Sequence, residues 1–488
     1  MKKNQKKRKE EVEKLLLKQK IRDIKQIEAY KLDICHPDSA GIDLGSAENY
    51  VALNPSIAAE MDLPIVHKFS TVTSGHEACR DLLLQCGIKN VCMESTGIYW
   101  INLHYILTQA GINVCLVNPK MFRMVPGRKT DILDCQWLQT LHMYGLCRGS
   151  FIPEEHIRQL RAYIRERETT IQDRSRYVQR MQKAMVQMNL MLVNVVNDIT
   201  GKTGLAIIKS IIKGERDPKI LAGMRDGRCK KSEAEIAEAL KGIYKEDQMF
   251  LLKQNFSKFE FMNKLISELD LKIGGLLKTF PHAQLREPAA EQVDNSTEDN
   301  SEQADKKNKK KPRPSKNDLH AGIDLKKTLV EIAGVNLTTI TGLQPHSILQ
   351  IISEVGTDMS LFPTEKHFVA YLGYAPRNKI TGGVIISSKT DRKRCHASQA
   401  FKKVIPSISK GNSALYSFYH RIAAKRGTAV AITATARKLA INFYNTIKFG
   451  KEYVEHGAEL YKKKQEEREK QRLQTLAKKY GMELSPAA

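Results

Sequence analysis

Between residues 40 and 150, short apolar runs alternate with amphipathic stretches, and this alternation constrains the chain more than any other feature. AGIDLGS and NYVAL read as two strands joined by a Gly/Ser/Asn turn, and IVHKFSTV reads as a third. HEACRDLLLQC has the spacing of an amphipathic helix and NVCMEST that of a short buried strand. GIYWINLHYILTQAG then reads as a helix, INVCLVN as a strand and KTDILDCQWLQTLHMYG as a helix. Three strands in succession, followed by helix, strand, helix, strand, helix, describe an α/β domain built on a mixed sheet.

Four acidic residues fall at the ends of these elements. Asp43 closes the first strand, Glu94 closes a later one, and Asp131 and Asp134 lie one turn apart behind Thr130, a suitable N-cap. Helix positions i and i+3 share a face, with Cβ atoms roughly 5–6 Å apart. Strand ends and a helix start can converge on one edge of such a sheet, where several carboxylates repel one another unless a cation neutralises them. Oxygen-only ligands select Mg²⁺ or Mn²⁺ over zinc. Two such ions roughly 3.5–4 Å apart can clamp the attacking and leaving oxygens of a phosphodiester. Arg123, Arg128 and Lys129, just ahead of Asp131, suit a phosphate backbone. Taken singly, each acid has a plainer reading, the helix-start pair as dipole capping and the strand-end aspartate as a turn former.

Charge agrees with a polyanionic partner. The 488 residues carry 79 Lys and Arg against 54 Asp and Glu, a formal net charge of +25. No apolar run approaches the roughly 18 residues of a membrane span, and the N-terminus lacks the apolar region of a secretory signal, so a cytoplasmic protein without a membrane partner is expected. Nine cysteines lie scattered without a CxxC pair, which fits a reducing compartment. It argues against a disulfide framework or a zinc site, and the cysteines read as small apolar fillers.

Composition shifts suggest a basic extension over 1–33, the α/β domain over 34–150, a helical region over 151–285, a charged linker over 286–318, a second compact domain over 319–460 and a charged helical tail over 461–488. The tip of the extension, from Lys2 to Lys9, is read equally as a solvated tail or as a nucleic-acid contact. From Ile157 the residues Leu160, Ile164, Ile171, Val178, Met181, Met185, Met188 and Leu192 follow a heptad seam interrupted at Arg167 and Arg174. Either an antiparallel hairpin or dimer coil tolerates the two arginines, or they face nucleic acid. The linker has almost nothing apolar to offset ordering entropy, so disorder is expected there. IAGVNLTTITGLQPHSILQIISEVG reads as a helix-hairpin-helix-like element whose turn would point N–H groups at phosphate, and the pattern after Thr390 is helical. Tyr99 and Trp100 read as core, as do the methionines of the seam.

GIDLGS, ESTGIYW, VNPKMFRMVPGRKTDILDCQWL and FVAYLGYAPRNKITGG together resemble the DEDD transposases of bacterial insertion sequences, relatives of the Piv DNA invertase that include the bridge-RNA-guided recombinases. The resemblance runs over most of residues 40–450. It implies a RuvC-like (RNase H-like) N-terminal domain whose acids are Asp43, Glu94, Asp131 and Asp134, a coiled-coil arm, and a mainly α-helical C-terminal transposase domain. It also implies element-end and target DNA as substrates, divalent metal, a structured guide RNA, and a homo-oligomer, dimer or tetramer, in which domains of different protomers share a site. GIDLGS also matches a phosphate loop of actin-like ATPases, but the second GIDL at Gly322 to Leu325 continues without glycine.

The family places a nucleophilic serine just before a glycine after its AxLGxxPR-like motif. Here the matching position is Thr381, followed by Gly382 and Gly383. A threonine hydroxyl can act as a nucleophile, although its β-methyl stiffens χ1 and crowds an in-line approach. Three outcomes stay open: Thr381 serves, Ser387 or Ser388 serves, or this copy is inactive. Ser387 and Ser388, beside Lys389, Arg392, Lys393 and Arg394, otherwise read as phosphate-backbone contacts. Against strand exchange stand two rivals, a RuvC-like nuclease that uses water and a degenerate copy that only binds nucleic acid.

Overall fold

The computed structural model describes residues 33–119, 130–283, 318–320, 322–376, 378–390, 395–450 and 457–482. The basic tip, nearly all of the charged linker, and Arg123, Arg128, Lys129, Arg392, Lys393 and Arg394 lie outside the described residues. The chain divides into two compact units, Met1–Ile152 and Pro153–Ala488.

The first unit is a five-stranded sheet in the order β3-β2-β1-β4-β5, with β1 Ser39–Leu44, β2 Glu48–Leu53, β3 Val66–Ser70, β4 Asn90–Glu94 and β5 Asn113–Val117. The strands β1, β2 and β3 pair antiparallel, whereas β4 pairs parallel with both β1 and β5. The mixed sheet expected from the alternation is therefore present. A short helix α1 (Pro55–Glu60), capped by Asn54, adds a turn between β2 and β3 that the pattern did not reveal.

Two layers of helix enclose the sheet. On one face α2 (Thr73–Gln85) and α3 (Trp100–Gln109) bury Cys79, Leu83, Leu103 and Leu107 against Ala40, Ile42, Leu44, Val91 and Met93. Trp100 packs against this core, but Tyr99 is exposed, so only one of the two aromatics is core. The opposite face is covered by α4 (Asp131–Met143). This helix lies very close to β1, because a Cβ on Gly41 would collide with the carbonyl of Cys135 and the amide of Gln139. Only glycine permits that approach.

Among its described residues, the second unit is helical except for one hairpin. Its frame is the antiparallel pair α5 (Glu155–Gln187) and α10 (Glu246–Leu277). Between them lie α6 (Leu192–Val195), α7 (Lys202–Lys213), α8 (Pro218–Gly223) and α9 (Glu233–Ala239). Met181, Met185 and Met188 share one core with Ile207, Ile208, Leu221, Ile236 and Phe256, so the methionines of the seam are packing residues. The two arginines in the seam face α10. Buried Arg167 pairs with buried Asp270, and Arg174 Nη1 donates to Asn263 Oδ1 at 3.0 Å. Equal seven-residue steps on the two helices keep these pairs in register, and the side chains are used within the fold rather than offered to nucleic acid.

The remainder comprises α11 (Leu325–Ala333), α12 (Pro345–Val355), α13 (Glu365–Tyr371), the hairpin β6 (Lys379–Thr381) and β7 (Val384–Ser387), then α14 (His396–Ile408), α15 (Ala414–Arg426), α16 (Thr428–Phe449) and α17 (Gly457–Lys479). Asp324 of the second GIDL caps α11 by accepting from Lys327 N. In the segment read as helix-hairpin-helix, the turn at Gly342 packs against Ile408 and Val404 of α14. The Leu343 N–H donates to Ile340 and the Gln344 N–H to Ser347, so these amides are spent locally. Arg165 grips Glu354 of α12 through two bonds of 2.7 and 2.8 Å, and Arg161 reaches the Glu354 carbonyl at 2.6 Å. Cations near a helix C-terminus are favoured by its dipole.

Candidate active site

The β1–β4 ladder runs Gly41↔Cys92 and Ile42↔Met93. Its next step sets Asp43 beside Glu94. Side chains alternate along a strand. Ser39 Oγ accepts from Gln139 Nε2 at 3.3 Å, and Gly41 abuts α4, so Asp43 is on the α4 face. Cys92 packs with Leu138 of α4, which puts Glu94 on that face as well. Both carboxylates are largely buried, with 8 % and 7 % exposure. The Glu94 Oε1 accepts from Thr96 Oγ1 at 2.8 Å.

The helix start completes the arrangement. Thr130 caps α4 by accepting from Leu133 N at 3.4 Å, and its carbonyl takes the Asp134 N–H at 2.9 Å. Gln139 meets Ser39 and Cys135 meets Gly41, so α4 runs against β1 and its N-terminus comes to the end of the strand that bears Asp43. Asp131 and Asp134 are one turn ahead of buried Cys135 and Leu138. Asp134 is half-buried and Asp131 is exposed. Burial pushes the Cys135 thiol up to about 12, and the charges of Asp43 and then Asp134 add to the shift, so one thiol senses both carboxylates. The helix dipole favours negative charge at this end.

The donor set is all carboxylate oxygen, and two of its members are largely buried on adjacent strands. This fits a hard divalent cation. Among the described residues, the cluster of three His, Cys or acidic groups whose ligand atoms lie within 4.8 Å of one another is a different one, Cys92, Cys115 and His142. It was missed because its members come from separate elements with no local spacing signal. Among the described residues, no three of the four carboxylates bring ligand oxygens within 4.8 Å of one another.

Thr381 ends β6 in the second unit. Gly382 and Gly383, at φ 55° and 77°, form a two-residue turn that requires positive φ at both positions. Thr381 pairs with Val384, and Ile380 with Ile385. The ribbon is exposed: Ile380, Val384, Ile385 and Ile386 are all more than half accessible. Ser387 closes β7 and its Oγ accepts from Lys389 N at 3.4 Å, whereas Ser388 and Lys389 are exposed. The pattern gave no separate hairpin in what was expected to be a mainly helical domain. Among the described residues, no helix is long and apolar enough to cross a membrane.

Comparison with known proteins agrees with the motifs. The family model described as a DEDD transposase of IS110 type matches residues 40–190, and the transposase model of the IS116/IS110/IS902 family matches residues 334–422. No curated protein matches the chain. The first match spans the sheet with its acidic edge and continues into α5, and the second spans the hairpin that carries Thr381. The chain belongs to the IS110-type transposases and is a DNA transposase by family.

Proposed function

We propose that this transposase cuts and rejoins DNA strands by phosphodiester exchange at Asp43, Glu94, Asp131 and Asp134, with the Thr381 hydroxyl as nucleophile. The observation that carries the reading is the β1–β4 register, which sets two largely buried carboxylates side by side beneath the helix start that bears the other two. The strand order and the three-layer arrangement support a RuvC-like domain. When bound there, Mg²⁺ or Mn²⁺ supplies positive charge to the phosphoryl oxygens and to the attacking and leaving oxygens.

The protein's own residues do the rest. Asp43 and Glu94, fixed on adjacent strands, hold the cation site rigid. Asp134 and Asp131 close it from α4. Thr381, on a narrow exposed ribbon, can enter a DNA groove that a broad surface would not fit. Its hydroxyl oxygen bonds to phosphorus as the bond to the sugar oxygen breaks, the threonine proton passing to solvent and the released sugar oxygen taking one up as a hydroxyl. Ser387, Ser388 and Lys389 bind backbone phosphate beside it. A structured guide RNA, a homo-oligomer and a cytoplasmic site of action complete the reading, supported by the family and by the charge of +25.

The test is strand exchange between element-end substrates in Mg²⁺, with Asp43→Ala and Thr381→Ala in parallel and a trap for covalent protein–DNA adducts. Both variants are expected to lose product, and Thr381→Ala to lose the adduct. Full activity of Asp43→Ala would remove the metal site. Activity of Thr381→Ala without an adduct would make water the nucleophile.

A further inference from the structure

On the α4 face of the sheet, away from the acidic edge, a second set of ligand-bearing side chains converges. Cys92 on β4 and Cys115 on β5 are register partners on adjacent parallel strands. A ring nitrogen of His142, in the last turn of α4, lies within 4.8 Å of both sulfurs, which lie within 4.8 Å of each other. Cys147, in the segment after α4, brings its Sγ to 3.5 Å from Cys92 Sγ. Tetrahedral zinc with Zn–S near 2.3 Å sets ligand sulfurs about 3.8 Å apart, so the Cys92–Cys115 and Cys92–Cys147 separations need only small adjustment.

The histidine gives an independent sign. His142 is 4 % exposed, and its buried Nε2 has no hydrogen-bond partner among the described residues. A buried polar atom left unmatched is costly, and a ligand at that point would satisfy it. Neighbouring His36 stacks on the imidazole with ring centroids 4.7 Å apart. Three thiols and one imidazole are a soft donor set, unlike the four carboxylates.

We propose that Cys92, Cys115, His142 and Cys147 form a Cys₃His site for one zinc ion, a structural staple that ties the C-terminal end of α4 to β4 and β5. Each sulfur gives up its thiol proton to solvent as it takes the ion. All four valences are filled by the protein, so the site has no open position for substrate. The absence of a CxxC pair, which argues against zinc, is bypassed because register across the sheet, and not sequence spacing, assembles the ligands.

The experiment loads the reduced full-length chain with Zn²⁺ or Co²⁺ and removes the excess. One ion per chain is expected, and the Co²⁺ form should show thiolate charge-transfer bands with the intense ligand-field bands of a tetrahedral centre. Excess Mg²⁺ and the Asp43→Asn substitution should leave those bands intact, which separates this site from the carboxylates. Cys92→Ser, His142→Gln and Cys147→Ser should each weaken or abolish them, whereas Cys79→Ser, which removes a buried thiol elsewhere, should not. Alkylation of the native chain with and without Zn²⁺ avoids reliance on variants that fail to fold. Zinc should protect Cys92, Cys115 and Cys147 while exposed Cys35 reacts. A native reduced chain that retains neither ion, or bands that survive loss of Cys92, would overturn the proposal, and so would a Cys92–Cys147 disulfide in place of metal.

Discussion

Buried carboxylates occur in both units, and their surroundings differ. In the helical unit, Asp270 sits in the α5–α10 interface with Arg167 against it, and its Oδ2 also accepts the His320 N–H at 2.9 Å. Its charge is matched inside the chain. In the sheet unit, Asp43 and Glu94 are neighbours of the same sign, and Glu94 receives a hydroxyl from Thr96. Like charges so placed repel one another, and a cation bound there would offset that repulsion. Asp270 is paired within the fold, whereas the role proposed for Asp43 and Glu94 is chemical, although all are acidic residues on regular elements.

Substitution should separate the two roles. The largest effect is expected from Asp43→Asn, which keeps the shape and removes a charge. Strand exchange should fall by about 10³-fold, equivalent to roughly 4 kcal/mol of barrier, while the thermal transition of the sheet unit stays level or rises. A fall in that transition comparable to the loss of rate would make Asp43 a structural residue and break the contrast.

Asp270→Ala should do the reverse. It leaves Arg167 buried without its carboxylate, and about 3–5 kcal/mol of stability should be lost, read from denaturant unfolding of the helical unit. Next in size is Mg²⁺ itself. At about 100 times its dissociation constant it should stabilise the sheet unit by roughly 2.7 kcal/mol, seen as slower amide exchange in β1 and β4, and Asp43→Asn should abolish the gain. The smallest effect belongs to Thr381→Ser. The position is exposed on a hairpin, so stability should move by no more than about 0.5 kcal/mol, while strand exchange persists and the adduct maps to the new serine.

Much of the sheet unit was legible beforehand because its signals are local. Short apolar runs marked β1, β2 and β4, amphipathic or helical patterns marked α2 to α4, and Thr130 marked the start of the helix that carries Asp131 and Asp134. Asp43 and Glu94 stood out as acids at strand ends. Three features needed the third dimension. The match of Arg167 with Asp270 joins residues 103 positions apart, so the sequence left the purpose of the skipped seam positions open. The hairpin around Thr381 depends on two adjacent glycines inside a segment whose surroundings are helical. The Cys92, Cys115 and His142 cluster arises from strand register and from the close approach of α4 over Gly41, neither of which has a local signature.

The parallel pairing of β1 with β4 has an evolutionary corollary. Because the ladder, and not the intervening chain, aligns Asp43 with Glu94, the turns among β2, α1, β3 and α2 are free to gain or lose residues without disturbing the alignment of these two carboxylates. A single-residue deletion within β1 would instead turn Asp43 toward the opposite helical layer. Length variation among functional relatives should therefore gather in those connecting turns and spare the two short strands.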